Sequence, residues 1–207
     1  MYIPSDFQEE NRDKLFELID AYSFAMLISG SAAEPMISHV PLLLDRTRPG
    51  QERLVGHVAR ANKHWRRFDG SEPALVIFQG PHAYVSPTWY ASVHAVPTWN
   101  YAVVHVRGRP TLATSDTTLA ILGRLIERFE AGRAIPWTPD LASPFITEQA
   151  RAIVGFELTI EEITAKFKLG QNRDDADQAG IIRGLSEESS LHSRELAAFM
   201  SRQRRTD

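Results

Sequence analysis

Short apolar or alternating segments recur along this chain at close spacing, and their lengths and β-branched residues favour strands over helices. Helical spacing of apolar residues is confined to about 8–21, where Ser5 and Gln8 fit a capping box, to the stretch from Ser115 to Gly132, to 145–152 and to the tail from Ser186. Many strands with few long helices predict an α+β protein built on a closed β-barrel with helices around it. The predicted strands are 24–29, 36–44, 54–60, 74–79, 82–86, 98–106, 109–113, 153–160 and 163–169, with a turn at Gly108.

Composition excludes several functional classes. The chain has 207 residues, a formal net charge of -3 and no cysteine. Disulfides, thiolate catalysis, iron–sulfur clusters and cysteine zinc sites are therefore excluded, and the charge does not favour a surface built for nucleic acid. The N-terminus lacks a signal-peptide pattern and no apolar run reaches membrane-spanning length, so we expect a cytoplasmic protein with no membrane partner. We expect one domain over 1–185, with a C-terminal helical appendage over 186–207.

Two neighbouring stretches, 80–90 and 96–105, combine histidine, tryptophan and tyrosine with short polar side chains. Each of these rings has a flat apolar body and a polar edge, as the wall of a ligand pocket requires. Within the second stretch, Thr98, Trp99 and Asn100 offer a hydroxyl, an indole and an amide that could border a planar ring. The alternative is that Trp99 is a core residue of an ordinary strand, which is the commoner role of an aromatic there.

Cationic and amide side chains gather where the strand 54–60 gives way to a short helix. Arg60, Asn62, Lys63 and His64 could hold a phosphate there, or they could form a polar turn on the surface. Further along, Lys166 and Lys168 share one face of a strand. They could make additional anion contacts, or they could lie on a solvated face.

Six of the seven histidines lie between His39 and His105, which raises the possibility of a metal or haem site. They fall on different predicted elements and at no recognised ligand spacing. We therefore interpret them as polar strand residues and predict no metal site.

Five segments, in order from Met1 to about Leu185, resemble the PaiB-like, FMN-binding "negative transcriptional regulator" family. The resemblance implies a flavin split barrel with peripheral helices and a C-terminal helix, FMN as cofactor and a homodimer with FMN at the subunit interface. Two positions depart from the family pattern, since Lys63 stands where proline is usual and Gly170 where serine is usual. The matching segments are 1–4, 56–62, 80–90, 96–101 and 168–173.

The resemblance also implies roles for individual residues. Arg60 and Asn62 would hold the phosphate or ribityl chain of FMN, with Lys63 and His64 beside them. His39, Thr98, Trp99 and Asn100 would border the isoalloxazine. Gln171 and Asn172 would come from the second subunit.

Three functions remain open from the sequence. The family name implies a transcriptional regulator, which makes DNA a candidate partner, although no helix-turn-helix pattern is visible and Arg202, Arg204 and Arg205 form the only basic cluster. A flavin-dependent oxidoreductase acting on a small molecule is the first alternative, because the flavin carries the chemistry and no single catalytic residue is required. A haem-binding split barrel is the second.

Overall fold

The computed structural model describes residues 1–31, 33–48 and 50–206, without the side chains of Arg205 and Thr206. Short 3-10 helices cover Ser5–Phe7, Lys63–Arg67 and Pro87–Trp89. The helices are α1 (Arg12–Ala21), α2 (Ser115–Glu130), α3 (Pro144–Ala150), α4 (Asp175–Glu187) and α5 (Leu191–Thr206). The strands are β1 (Gln8–Glu9), β2 (Phe24–Ser29), β3 (Met36–Pro41), β4 (Leu43–Asp45), β5 (Arg53–Ala59), β6 (Ala74–Val85), β7 (Thr98–Leu112) and β8 (Ile153–Lys168).

The strands hydrogen-bond in the order β3-β2-β6-β7-β8-β5-β4, and β1 pairs with β8. The pairs β2–β3, β2–β6, β4–β5, β5–β8 and β1–β8 are all antiparallel. The chain divides into two compact units. The first unit comprises Met1–Leu18, Gln79–Val104 and Thr164–Asp207, and the second comprises Ile19–Phe78 and His105–Ile163.

The predicted turn at Gly108 is wrong, because β7 runs unbroken from Thr98 to Leu112. Gly108 serves a different purpose within the strand. A β-carbon there would overlap the carbonyl oxygen of Thr159 on β8. Glycine therefore permits a close approach of two strands here. In the sequence, a glycine with this role cannot be distinguished from a glycine in a turn.

Two further boundaries differ from the sequence prediction. The Glu161–Glu162 pair does not interrupt β8, since exposed positions of a long strand accept charged residues without breaking the ladder. The acidic stretch at 174–177 begins α4, a helix that the sequence prediction does not include, and the Asp174 side chain accepts from the backbone N–H of Asp177. Carboxylates in a first helical turn are favourable, and this signal was missed.

The capping box predicted at Ser5 and Gln8 is also wrong. Residues 5–7 form a 3-10 turn and Gln8 pairs with Lys166 in the sheet. The side chain of Asn11 caps α1 instead, accepting from the backbone N–H groups of Asp13 and Lys14 at 3.0 and 3.3 Å. The helix therefore begins at Arg12, four residues later than predicted.

In the first unit, the loop between β6 and β7 is seated on α4. Gly180 and Gly184 lie one helical turn apart, and a β-carbon on either would overlap Trp89. Asp177, almost fully buried, accepts hydrogen bonds from the backbone and the hydroxyl of Ser92 at 2.9 and 2.7 Å. Small residues and one buried carboxylate thus hold this loop against the helix.

In the second unit, α2 packs against β4 and β5. Ile121 and Leu125 contact Leu43 and Val55 in a buried cluster. No helix in the described ranges is long and apolar enough to span a membrane.

A buried carboxylate lies at the end of β4. Asp45 is 3% exposed, and its Oδ2 accepts from Arg53 Nε at 2.9 Å and lies 3.4 Å from Arg124 Nη1. Burial alone would raise the pKa of Asp45. The hydrogen bonds from Arg53 and Thr47, together with the charge of Arg124, outweigh burial and lower the pKa to about 2.

This carboxylate predicts how stability depends on acid. Because the folded pKa of Asp45 lies below the ordinary 3.8, its contribution is complete above about pH 4 and is lost as the pH falls toward 2. We expect Asp45→Asn to lower the free energy of unfolding by roughly 2 kcal/mol at neutral pH, and the deficit to vanish near pH 2. Urea unfolding across this range measures it, with the exposed Glu188→Gln as control. A deficit that persists unchanged at low pH would contradict the assignment.

Candidate functional site

Asn62 lies between the end of β5 and the 3-10 helix Lys63–Arg67, and its side chain is held at both ends. Its Oδ1 accepts from the backbone N–H of His64 at 3.1 Å, and its Nδ2 donates to Ser38 Oγ at 2.9 Å. The Ser38 hydroxyl also lies 2.8 Å from Nδ1 of His64, whose Nε2 lies 2.7 Å from Ser29 Oγ. The orientation of Asn62 is therefore fixed before any ligand arrives.

His64 is the buried centre of this network. Its ring has no exposed surface and both nitrogens are engaged, while burial and the Arg67 charge lower the pKa of His64. The lowered pKa favours the neutral ring, which can donate a hydrogen bond from one nitrogen and accept one at the other. Its burial disfavours the predicted direct contact with a cofactor, and it supports Asn62 and Ser38 from behind.

Two predicted residues lie exposed beside this network. Lys63 is the first residue of the 3-10 helix, and its side chain is exposed. His39 follows Ser38 on β3, faces the opposite side of the strand and stacks on the exposed Phe24 with ring centroids 6.3 Å apart. The structure thus brings Asn62 and His64 together through Ser38, with Lys63 between them in the chain, whereas the His39 side chain lies on the other face of β3.

Arg60 is also near, but its guanidinium is partly used. Nε donates to the carbonyl of Arg151 at 2.6 Å and Nη2 to that of Ile153 at 3.0 Å. The side chain lines a cavity of about 220 Å³ together with Ser115, Thr118 and Arg151. Three of the five N–H donors of the guanidinium remain available to a ligand, so the phosphate contact stays a prediction. The other two donors give Arg60 a second role, which is to hold the start of β8.

In the first unit, Thr98 and Trp99 begin β7 and are tied to β8 through one lysine. Lys168 Nζ donates to Thr98 Oγ1 and to the carbonyl of Trp99. The Trp99 ring is 55% exposed, with Tyr84 edge-on at 6.3 Å and His82 stacked at 6.5 Å. Trp99 is therefore a surface aromatic, and the alternative of a core tryptophan does not hold.

Asn100 lies on the other face of the same strand. It is 2% exposed and its Nδ2 lies 3.9 Å from the sulfur of Met200 on α5. Because consecutive strand residues face opposite sides, Trp99 and Asn100 cannot border one ring from the same side. The predicted isoalloxazine contact of Asn100 is disfavoured by this alternation.

Gln171 and Asn172 follow β8 in a tight turn. Gln171 Oε1 accepts from the backbone N–H of Leu169 at 2.7 Å, and its Nε2 donates to the carbonyl of Phe167. Gly170 has a φ of +85°, which suits glycine better than the serine usual in the family. Gln171 therefore shapes the turn, and Asn172 remains the exposed amide at its tip.

Lys166 lies on the same face of β8 as Lys168, and the structure places it beside two aromatic rings that the sequence did not indicate. Lys166 is 7% exposed, and its Nζ lies 5.4 and 5.5 Å from the ring centroids of Tyr2 and Tyr101. Nζ also donates to the carbonyl of Tyr2 at 3.3 Å. Burial first, and then the charge of Lys166, lower the pKa of Lys168. Two-residue alternation identified the shared face, but no local signal placed Tyr2 there.

In the described part of the chain, no three His, Asp or Glu side chains gather as a metal site would require. The two histidines that do meet, His82 and His192, stack with ring centroids 5.5 Å apart.

Comparison with known proteins places the chain in a family. Residues 1–162 match the family model described as "Putative FMN-binding domain". The chain belongs to this family. Its cofactor is accordingly FMN, as the resemblance implies. The chain is also 34% identical, over 201 residues, to protease synthase and sporulation protein PAI 2 of Bacillus subtilis, covering 97% of this chain and 96% of that protein.

Solved structures confirm the fold. The FAD and heme binding protein from Mycobacterium smegmatis matches with a TM-score of 0.61 and 21% identity, over 86% of this chain and 80% of that one. The flavocytochrome Anf3 from Azotobacter vinelandii matches with a TM-score of 0.61 and 16% identity, over 84% of this chain and 74% of that one. At these identities the likeness concerns the fold alone, and the fold is the mixed α and β split barrel that the sequence predicts.

The side chains present suit FMN, which combines an anionic phosphate, a hydroxylated chain and a planar ring. The second unit offers an exposed ammonium at Lys63 and a fixed amide at Asn62 for the first two parts. The redox chemistry would be the flavin's own.

Proposed function

We propose that this protein is an FMN-binding homodimer with a regulatory role, in which Asn62 and Lys63 hold one side of the cofactor. The observation that carries the proposal is the Ser38–His64–Asn62 network, which fixes Asn62 beside the exposed Lys63. Such preorganisation avoids an entropic cost when a ligand binds. In this proposal Gln171 and Asn172 reach the same FMN from the partner copy, and the protein is cytoplasmic.

The FMN assignment is tested by one charge. Lys63→Ala removes the exposed cation beside Asn62, and we expect FMN to bind about tenfold more weakly, since a charged hydrogen bond contributes about 1.5 kcal/mol or more. Arg48→Ala removes an equal charge from an exposed turn of the same unit and should leave the affinity unchanged. Flavin fluorescence titration measures both. Equal affinities of Lys63→Ala and the parent protein would remove Lys63 from the site, and an absence of binding to the parent would refute the whole assignment.

The homodimer proposal is supported by an exposed apolar sheet face in the second unit. The edge strand β3 and its neighbour β2 expose Ile37 and Phe24 to 56% and 68%, with His39 between them. Met26 and Ile28 lie on the same side of β2 and are only half-buried. A contiguous apolar face of this kind is unusual on a monomer and typical of an interface. A second copy covering this face would bury the edge strand together with His39.

The interface is tested by placing a charge on it. We expect Ile37→Asp to convert the dimer to a monomer, because burying an unpaired carboxylate costs several kcal/mol. FMN affinity should fall with it, since the partner copy contributes to the proposed site. Leu112→Asp makes the same change at an exposed apolar position of β7 and serves as control. Sedimentation equilibrium decides, and a dimer unaffected by Ile37→Asp would place the interface elsewhere.

A second candidate function is a flavin-dependent oxidoreductase, which two observations favour. Arg204 forms an ion pair with Asp175 at 2.8 Å, and Arg202 lies over the Phe199 ring, so the described part of the tail offers little free charge for DNA. Meanwhile Trp99 and Tyr84 present half-exposed rings on which a small substrate could stack.

One pair of assays separates the two functions. A regulator should retard genomic DNA fragments at physiological salt, with a difference between FMN-loaded and FMN-free protein. An oxidoreductase should bleach its bound flavin with NADH or NADPH faster than free FMN is bleached. We expect the first result, and rapid bleaching without DNA retardation would favour the second function.

A further inference from the structure

Two lysine ammonium groups on β8 have no carboxylate partner within the part of the chain that the structure describes. Lys166 and Lys168 share one face of the strand, and among the described residues no Asp or Glu forms an ion pair with either of them. In contrast, Arg53, Arg67 and Arg109 each have a carboxylate within 3.0 Å. The Lys166–Lys168 site, as we call this pair, is therefore a local excess of positive charge.

This arrangement is costly without a ligand. Lys166 is more than nine-tenths buried, and the described groups that offset its charge are the faces of Tyr2 and Tyr101 and the carbonyl of Tyr2. Cation–π contacts recover a part of the desolvation cost of a buried ammonium, and the second cation adds repulsion. A negative charge placed beside Lys168 would relieve both penalties.

The geometry also defines where that negative charge would lie. Lys168 spends two of its three N–H donors on Thr98 Oγ1 and the Trp99 carbonyl, which leaves one for a ligand. The adjoining Trp99 ring is half exposed and has Tyr84 set edge-on against it. An anion beside Lys168 would therefore contact a flat aromatic surface.

We propose that the Lys166–Lys168 site binds a planar, delocalised anion, with Lys168 donating to it, Trp99 stacking against it and Lys166 reinforcing the positive field from behind. Two sources have this chemistry. One is the isoalloxazine of FMN after two-electron reduction with uptake of one proton, and this source rests on the proposed function. The other is an aromatic carboxylate that binds independently of FMN.

The flavin source is tested by the midpoint potential of bound FMN. The oxidised ring is neutral and the reduced ring anionic, so a cation at this site favours the reduced form. We expect Lys168→Met to weaken the binding of reduced FMN about tenfold relative to oxidised FMN, which lowers the potential by about 30 mV for a two-electron couple. Lys168→Arg should restore most of the difference. Arg183→Ala, which removes an exposed charge from α4 in the same unit, should leave the potential unchanged.

The second source is tested on FMN-free protein with benzoate and its neutral analogue benzamide. An aromatic-acid site should bind benzoate more tightly than benzamide, and Lys168→Met should abolish that preference. Tryptophan fluorescence reports binding, because Trp99 lies at the site. Lys168→Gln, which keeps a polar side chain without the charge, repeats both assays if the Met variant does not fold.

The outcomes distinguish this inference from the proposed function. A potential shift assigns the site to the flavin, and a lost benzoate preference assigns it to a separate aromatic acid. If FMN binds normally but neither the potential nor benzoate binding responds to Lys168 variants, the inference is overturned while the FMN assignment stands. If FMN does not bind at all, the proposed function fails, and the benzoate assay still decides the inference.

Discussion

The register between β5 and β8 determines where the residues of the second unit lie. Seven residue pairs join the two strands, from Arg53 opposite Thr159 to Ala59 opposite Ile153. Gly56 falls opposite Phe156, and its missing side chain makes room for Leu42. A slip of one residue would turn the whole apolar face of β5 outward.

The same register ends at the candidate site. Beyond Ala59, the backbone N–H of Arg60 continues the hydrogen-bonded ladder by donating to the carbonyl of Ala152 at 2.8 Å. The guanidinium of Arg60 donates to two further carbonyls of the same segment. The chain can then turn into the 3-10 helix with Asn62 already in place to cap it. The position of the predicted phosphate contacts is thus a consequence of strand pairing more than of the polar residues themselves.

Local pattern was sufficient for those elements whose signals are local. The apolar run at Phe24–Ser29 and the periodic stretch beginning at Ser115 both form the expected elements. Local pattern failed where the role of a residue depends on a contact with a segment that is distant in sequence. The glycine at position 108 predicts a turn, but in the structure it makes room for the backbone of Thr159. Gly180 and Gly184 of α4 are a second example, because they make room for Trp89, which lies far away in the chain.

The candidate site residues also divide into those that the sequence identified and features that only the structure shows. Motif position identified Asn62, Lys63 and His39 as candidates, and the structure shows Asn62 held next to Lys63 while His39 faces the other side of β3. It could not show that His64 is buried between two serines, or that Asn100 faces away from Trp99, because both facts depend on which side of a strand faces the core. The cationic character of β8 was visible in the sequence. Only the structure shows that, among the described residues, the neighbours of Lys166 are the rings of Tyr2 and Tyr101 and no carboxylate compensates its charge.

The seat of Trp89 on the two glycines of α4 couples two segments that are distant in the chain. Asp177 belongs to the first turn of that helix and holds Ser92 through both of its oxygens. Lifting the loop away would strip a buried carboxylate of its partners, and unwinding the helix end would remove the loop's support. The loop and the start of α4 therefore stabilise each other, and we expect them to unfold as one cooperative element. The strand that presents Trp99 starts directly after this loop, so its anchoring depends on a helix more than seventy residues further along the chain.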